Sequence, residues 1–205
     1  MKSLSFVKAG MAACLVAAMS VTATDANANF LTDPSYEAPI TFDGGPFIGS
    51  WEGFNGGNAS AANGTVMPRT GQLHLDLQIT GANTFAGAFQ DFPVVPGADV
   101  TISAWHKSIG TDSDGSEFRI EWHDANGEIG RDQITPVPGA DYSQISITAT
   151  APVGATTARW TYAIQSFGGG PSQNVFVDDA SLTIVPEPAS LALLGLGGLA
   201  MLRRR

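Results

Sequence analysis

Cysteine, basic side chains and long apolar runs are all scarce in this sequence. Only one of its 205 residues is cysteine, which excludes a disulfide framework. Lys and Arg total 10 against 19 Asp and Glu, a net charge of −9. A chain that acidic, with no basic cluster in its central part, is poorly suited to nucleic acid or anionic lipid. It suits cations and neutral ligands better. No apolar run reaches the ~20 residues that a membrane-spanning helix normally needs. The three histidines, His74, His106 and His123, come without H-E-x-x-H, and no G-x-S-x-G is present. Neither a zinc protease nor a serine hydrolase is therefore indicated.

What is present begins with two ends unlike the middle. The start has Lys2 and Lys8, then an apolar stretch from about Ala9 to Val21, then the small-residue triplet Ala26-Asn27-Ala28. That is the order of a secretory signal peptide, with cleavage expected after Ala28. Lipoprotein processing at Cys14 fits less well, because the hydrophobic region follows that cysteine when it should precede it. The only cysteine then leaves with the signal, so the remaining domain holds together by packing, or by packing plus a metal. Residues 29–185 carry 17 acidic and 5 basic side chains, a net charge of −12.

The other end reads VPEPASLALLGLGGLAMLRRR. Its apolar run, Leu191 to Leu202, would form a helix of roughly 18 Å, short of a hydrocarbon core of about 30 Å. Arg203, Arg204 and Arg205 would hold it on the cytoplasmic side. The segment resembles the PEP-CTERM sorting signal of Gram-negative bacteria, on Pro186-Glu187-Pro188, the short Leu/Gly/Ala-rich helix and the terminal arginines. The resemblance implies an exosortase as processing partner, a transient inner-membrane hold, and delivery to the outer surface or an exopolysaccharide matrix. A simple C-terminal anchor is the alternative.

Between the ends the pattern has period 2. Leu73-His74-Leu75-Asp76-Leu77-Gln78-Ile79 alternates strictly, the mark of a half-buried strand. Val100 to Lys107, Phe118 to His123, Ile145 to Thr150, Ala158 to Gln165 and Val175 to Ile184 behave similarly. Pro96-Gly97, Asp114-Gly115, Asn126-Gly127, Pro138-Gly139 and Gly168-Gly169-Gly170-Pro171 separate them. Many short strands with turn signals between them predict an all-β sandwich or jelly roll.

Three stretches resemble family 4 and 9 carbohydrate-binding modules and their galactose-binding-like relatives. They are Asn29 to Glu37 (NFLTDPSYE), Phe89 to Trp105, and Val175 to Leu182 (VFVDDASL), in the family's order. The resemblance implies a jelly roll whose first and last strands lie together. It also implies a structural calcium shared by Glu37 and Asp178 with backbone carbonyls. Calcium takes six to eight oxygens, which two carboxylates and carbonyls can supply. Asp179 should face the other way. The alternative is that both carboxylates satisfy backbone donors.

Alternation also nominates a ligand face. With Leu73, Leu75, Leu77 and Ile79 inward, His74 and Asp76 point out. With Phe118, Ile120 and Trp122 inward, Glu117, Arg119, Glu121 and His123 point out. Arg159 opposes Trp160 and Tyr162, and Trp105 and Lys107 oppose Ile102 and Ala104. A polar face with one stacking tryptophan among hydrogen-bonding groups suits sugar recognition. The segment from Trp51 to Thr65 could be a binding edge or a surface loop. Asp112 to Glu117 resembles a cation loop without EF-hand spacing and reads as a hairpin turn. No residue is nominated as catalytic.

The expectation is thus a signal helix at 1–28, a jelly-roll β-sandwich at 29–184 and a sorting segment with a short hydrophobic helix at 185–205. The expected function is an exported, non-catalytic module associated with extracellular polysaccharide. A purely structural surface or matrix protein and a glycan-active hydrolase are the alternatives.

Overall fold

A computed structural model describes residues 28–109, 115–166 and 172–185. The predicted signal and tail helices, Ala26, and the processing residues Pro186, Glu187, Pro188 and Arg203 to Arg205 lie outside the described residues. Ala28 is the first described residue. Among the described residues, no helix is long and apolar enough to cross a membrane.

Among the described residues, ten strands form in chain order. They are β1 (Glu52–Asn55), β2 (Ala59–Gly64), β3 (His74–Ile79), β4 (Thr84–Pro93) and β5 (Asp99–Ser108), then β6 (Ser116–Asp124), β7 (Gly127–Ile134), β8 (Ser143–Thr150), β9 (Thr157–Ser166) and β10 (Gln173–Val185). They make two five-stranded sheets, β1-β4-β9-β6-β7 and β2-β3-β10-β5-β8. Every strand pair is antiparallel. The segment from Trp51 to Thr65, which sequence left between a binding edge and a loop, supplies one edge strand to each sheet.

The core follows from alternation. Leu75, Leu77 and Ile79 on β3 are fully buried, as are Ile102 and Ala104 on β5 and Phe118 and Ile120 on β6. From the two sheets they meet Val175, Val177, Leu182, Trp122, Trp160 and Tyr162. Trp160 is the hub, with Trp51 and Phe118 edge-on at 5.0 and 5.3 Å between ring centroids. Burying these large rings together with the aliphatic side chains drives one sheet to close onto the other.

The opening segment runs along β10, as the resemblance implied. Phe30 N–H donates to the Leu182 carbonyl at 2.8 Å, and Ala180 N–H to the Pro34 carbonyl at 2.8 Å. Asn29 adds a bond in each direction, to the Ala180 carbonyl and from the Leu182 N–H. In the same stretch β10 has a register shift between Asp178 and Ser181, and Asp179 takes φ +45°. The bulge breaks the two-residue period locally.

Candidate functional site

Strand β4 reads TFAGAFQDFP, and its small and aromatic residues alternate in the unexpected sense. Ala86 and Ala88 enter the core, so Phe85, Gly87 and Phe89 face outward. Register extends this across the sheet. Gly87 sits beside Ala163 and Glu117, Phe89 beside Thr161, Arg119 and Gln133, and Asp91 beside Arg159, Glu121 and Arg131. Small side chains therefore run down the middle, with larger ones on both sides.

The result is a cleft along β9. Two contiguous recesses of about 320 and 280 Å³ share Phe54, Arg119 and Arg131 in their lining. One wall is aromatic: Phe54 on β1 lies 6.1 Å from both Phe85 and Phe89, centroid to centroid. Gly87 makes that wall possible, since a Cβ there would fall 2.3 Å from Phe54 Cζ and 2.6 Å from the Tyr162 carbonyl oxygen. The other wall is ionic. Arg119 Nε donates to Glu121 Oε1 at 2.6 Å, and its Nη1 pairs with Glu117. Arg131 grips both oxygens of Glu128, at 2.6 and 2.8 Å.

Arg159 closes one end. It donates twice to Asp91, at 2.6 and 3.0 Å, and its guanidinium carbon lies 3.8 Å from the Phe89 ring centroid. Burial pushes the Glu121 carboxyl up, but the Arg119 charge and hydrogen bond, with His123 and Arg159, outweigh it and hold Glu121 below its ordinary range. In the floor, the Thr161 hydroxyl is buried and has no hydrogen-bond partner among the described residues. A buried hydroxyl left unpaired is costly, roughly 1–3 kcal/mol.

The eight nominated ligand residues do not share one face. Arg119, Glu121, His123 and Arg159 lie on the cleft face. His74, Asp76, Trp105 and Lys107 project from the other sheet, on the opposite side of the sandwich. Alternation distinguishes inward from outward, and each sheet has its own outward side.

On that second face two of the four nominated residues, His74 and Lys107, are buried and the other two, Asp76 and Trp105, are partly covered. His74 is fully buried, its ring 4.2 Å from Phe176, and Lys107 is 9% exposed. Burial, aided by the Lys107 charge, lowers His74 to about 4. Asp76 is raised by burial, which outweighs its hydrogen bond from Gln78. The Arg69 guanidinium carbon sits 3.8 Å from the Trp105 ring centroid, so the expected stacking platform already has an occupant.

Glu37 and Asp178 accept backbone N–H groups. Gln72 and Leu73 donate to Glu37 Oε1 at 2.9 and 3.1 Å. Arg69 and Thr70 donate to Asp178 Oδ2 at 2.7 and 3.1 Å, and Asp179 N–H to Asp178 Oδ1 at 2.7 Å. Both carboxylates thus satisfy backbone donors, and a calcium ion would have to compete with those donors for Glu37 Oε1 and for both Asp178 oxygens. Asp179 faces the same segment as Asp178, contrary to simple alternation, because of the β10 bulge.

Alternation places Glu117 outward without nominating it, and sequence reasoning missed Phe54, Phe85, Phe89, Glu128, Arg131 and Thr161. The available signal was β4 itself, where alanines alternating with phenylalanines put the aromatics outside.

Comparison with known proteins agrees with the fold and the tail. Residues 185–205 match the PEP-CTERM protein-sorting motif. No curated protein matches the chain in sequence. Among solved structures, the CBM22-1 xylan-binding domain of Paenibacillus barcinonensis Xyn10C aligns at TM-score 0.56 and 15% identity, over 80% of this chain and 98% of that one. A family 16 carbohydrate-binding module aligns at 0.50 and 17% identity, over 76% of this chain and 99% of that one. The enzymatically active domain of tailspike protein 4 of bacteriophage CBA120 aligns at 0.54 and 15%, over 66% of this chain. This chain spans only 19% of that tailspike structure. The protein is a jelly-roll β-sandwich of the carbohydrate-binding-module type of fold, carrying a PEP-CTERM motif that implies export and exosortase processing.

Proposed function

We propose that the protein is a non-catalytic carbohydrate-binding module whose cleft takes a short run of a neutral extracellular polysaccharide. The observation that carries this reading is the two-sided cleft. A pyranose ring has an apolar C–H face and a rim of hydroxyls. The Phe54, Phe85 and Phe89 wall suits the first, and the carboxylates and guanidiniums opposite suit the second. The unpaired Thr161 hydroxyl offers a further partner in the floor. Charge argues for a neutral chain: Arg119, Arg131 and Arg159 each already hold a carboxylate, which leaves no unmatched arginine among the described residues lining the cleft for an acidic sugar.

Hydrolysis fits the same cleft poorly. A glycosidase keeps one carboxyl protonated beside an ionised one. Here Arg119 grips both Glu117 and Glu121, and Glu121 is held low. The carboxyls raised by burial, Asp76 and Asp178, stand on the opposite face. The sorting motif supports export and exosortase processing; a transient hold at the inner membrane, then residence at the outer surface or in the matrix of a Gram-negative bacterium, belong to the same proposal.

The test is a panel of neutral and acidic glycans, including the exopolysaccharide of the producing strain, presented to the purified protein. Saturable binding to a neutral chain without release of reducing ends is expected. Silence across the whole panel would return the protein to a purely structural role, and new reducing ends would make it a hydrolase.

A further inference from the structure

Residues 65–73 join neighbouring strands β2 and β3, yet they do not take a short turn. Segment 66–73 crosses the outer face of the second sheet as a strap. It reaches Trp105 on β5, Asp178 and Asp179 on β10, and Tyr142 beside β8, whose hydroxyl donates to the Met67 carbonyl at 3.2 Å. We propose that Glu37, Asp178 and Asp179 are the receptor for this strap and not for a calcium ion, and that the strap withholds Trp105 from ligand.

Three independent features support this. First, the strap contributes four backbone N–H groups to Glu37 Oε1 and Asp178 Oδ2. Charge-assisted bonds of this kind are among the stronger ones in proteins. Second, the strap brings its own cation: Arg69 pairs with Asp179 while Thr70 Oγ1 donates to the other Asp179 oxygen. The positive charge that a metal would supply is thus covalently attached. Third, Gly71 is shaped for the contact. It has φ +61°, and a Cβ there would lie 1.9 Å from Glu37 Oε1. Only glycine lets the backbone come this close to the carboxylate in this conformation.

The same grip seats the Arg69 guanidinium on Trp105. With Arg69 on that face of the indole, a sugar ring cannot stack there. Binding at the cleft on the other sheet does not depend on the strap, so either proposal can fail alone.

The experiment combines thermal unfolding with acrylamide quenching of tryptophan emission on the exported protein. Of the four tryptophans, Trp51, Trp122 and Trp160 are at most 3% exposed, so quenching reports on Trp105. The melting temperature is expected to stay the same in calcium and in chelator. Glu37→Gln keeps an acceptor oxygen and is expected to lose less than Glu37→Ala. Arg69→Ala is expected to raise quenching about twofold by removing the cation–π cover. A calcium-dependent rise in melting temperature that Glu37→Gln abolishes would overturn the proposal. Unchanged quenching in Arg69→Ala would overturn it too.

Discussion

The two outward faces of this sandwich arise from the same strand alternation and differ in what lies over them. Facing out from β4 and β9, Gly87, Thr161 and Ala163 leave a cleft between a phenylalanine wall and an ionic wall. Facing out from β5, Trp105 and Lys107 have the more promising side chains for stacking and charge, yet the 66–73 strap lies across them. Residue type alone would rank the second face above the first. Chain path reverses the order, because a platform acts only where a ligand can reach it.

The largest expected effect lies on the closed face. Asp178→Ala removes the acceptor of three backbone N–H groups and is expected to destabilise by about 3 kcal/mol. Chemical denaturation reads this directly, and glycan affinity at the cleft should be unchanged. A parallel loss of affinity would mean that the two faces are coupled.

Next comes acid. His74 on the outer face of the second sheet and His106 in the core are both lowered to about 4 by burial. Between pH 6.5 and 4 the unfolded chain binds these protons first, so their stabilising contribution is lost as pH falls. At pH 5 the loss is roughly 2 kcal/mol per histidine relative to neutral pH. Asp76 and Asp178 act in the opposite sense: burial raises both, so their contribution is greatest in acid and fades as pH rises through their folded values. Denaturation curves of His74→Phe and His106→Phe separate the two sites, since each variant should flatten its own share of the acid slope.

The smallest effect belongs to the cleft rim. Arg131 has 41% of its side chain exposed and pairs with Glu128. Arg131→Ala should leave stability within about 0.5 kcal/mol of the parent. It should weaken glycan binding only a few-fold, by titration calorimetry.

Much of the fold was legible in the sequence because half-buried strands print their sidedness in every second residue. Leu75, Leu77 and Ile79, or Phe118, Ile120 and Trp122, needed no structure to be placed inside. Alternation is blind to which sheet a strand joins, so Arg119 and Trp105 looked like neighbours when they are on opposite sides. The strap was not legible either. Val66 to Leu73 has no period, and its Arg69–Asp179 pair is separated by 110 residues in sequence. Asp179 misled for a related reason: a bulge with a positive φ overrides the period that placed it.

The most direct test of the account is one titration series with a neutral glycan from the panel, comparing the parent, Phe54→Ala and Trp105→Ala. Phe54→Ala is expected to weaken binding about 30-fold, the equivalent of about 2 kcal/mol for a central aromatic contact, while Trp105→Ala matches the parent. Loss of binding in Trp105→Ala with Phe54→Ala unaffected would contradict the account and move the site to the other face.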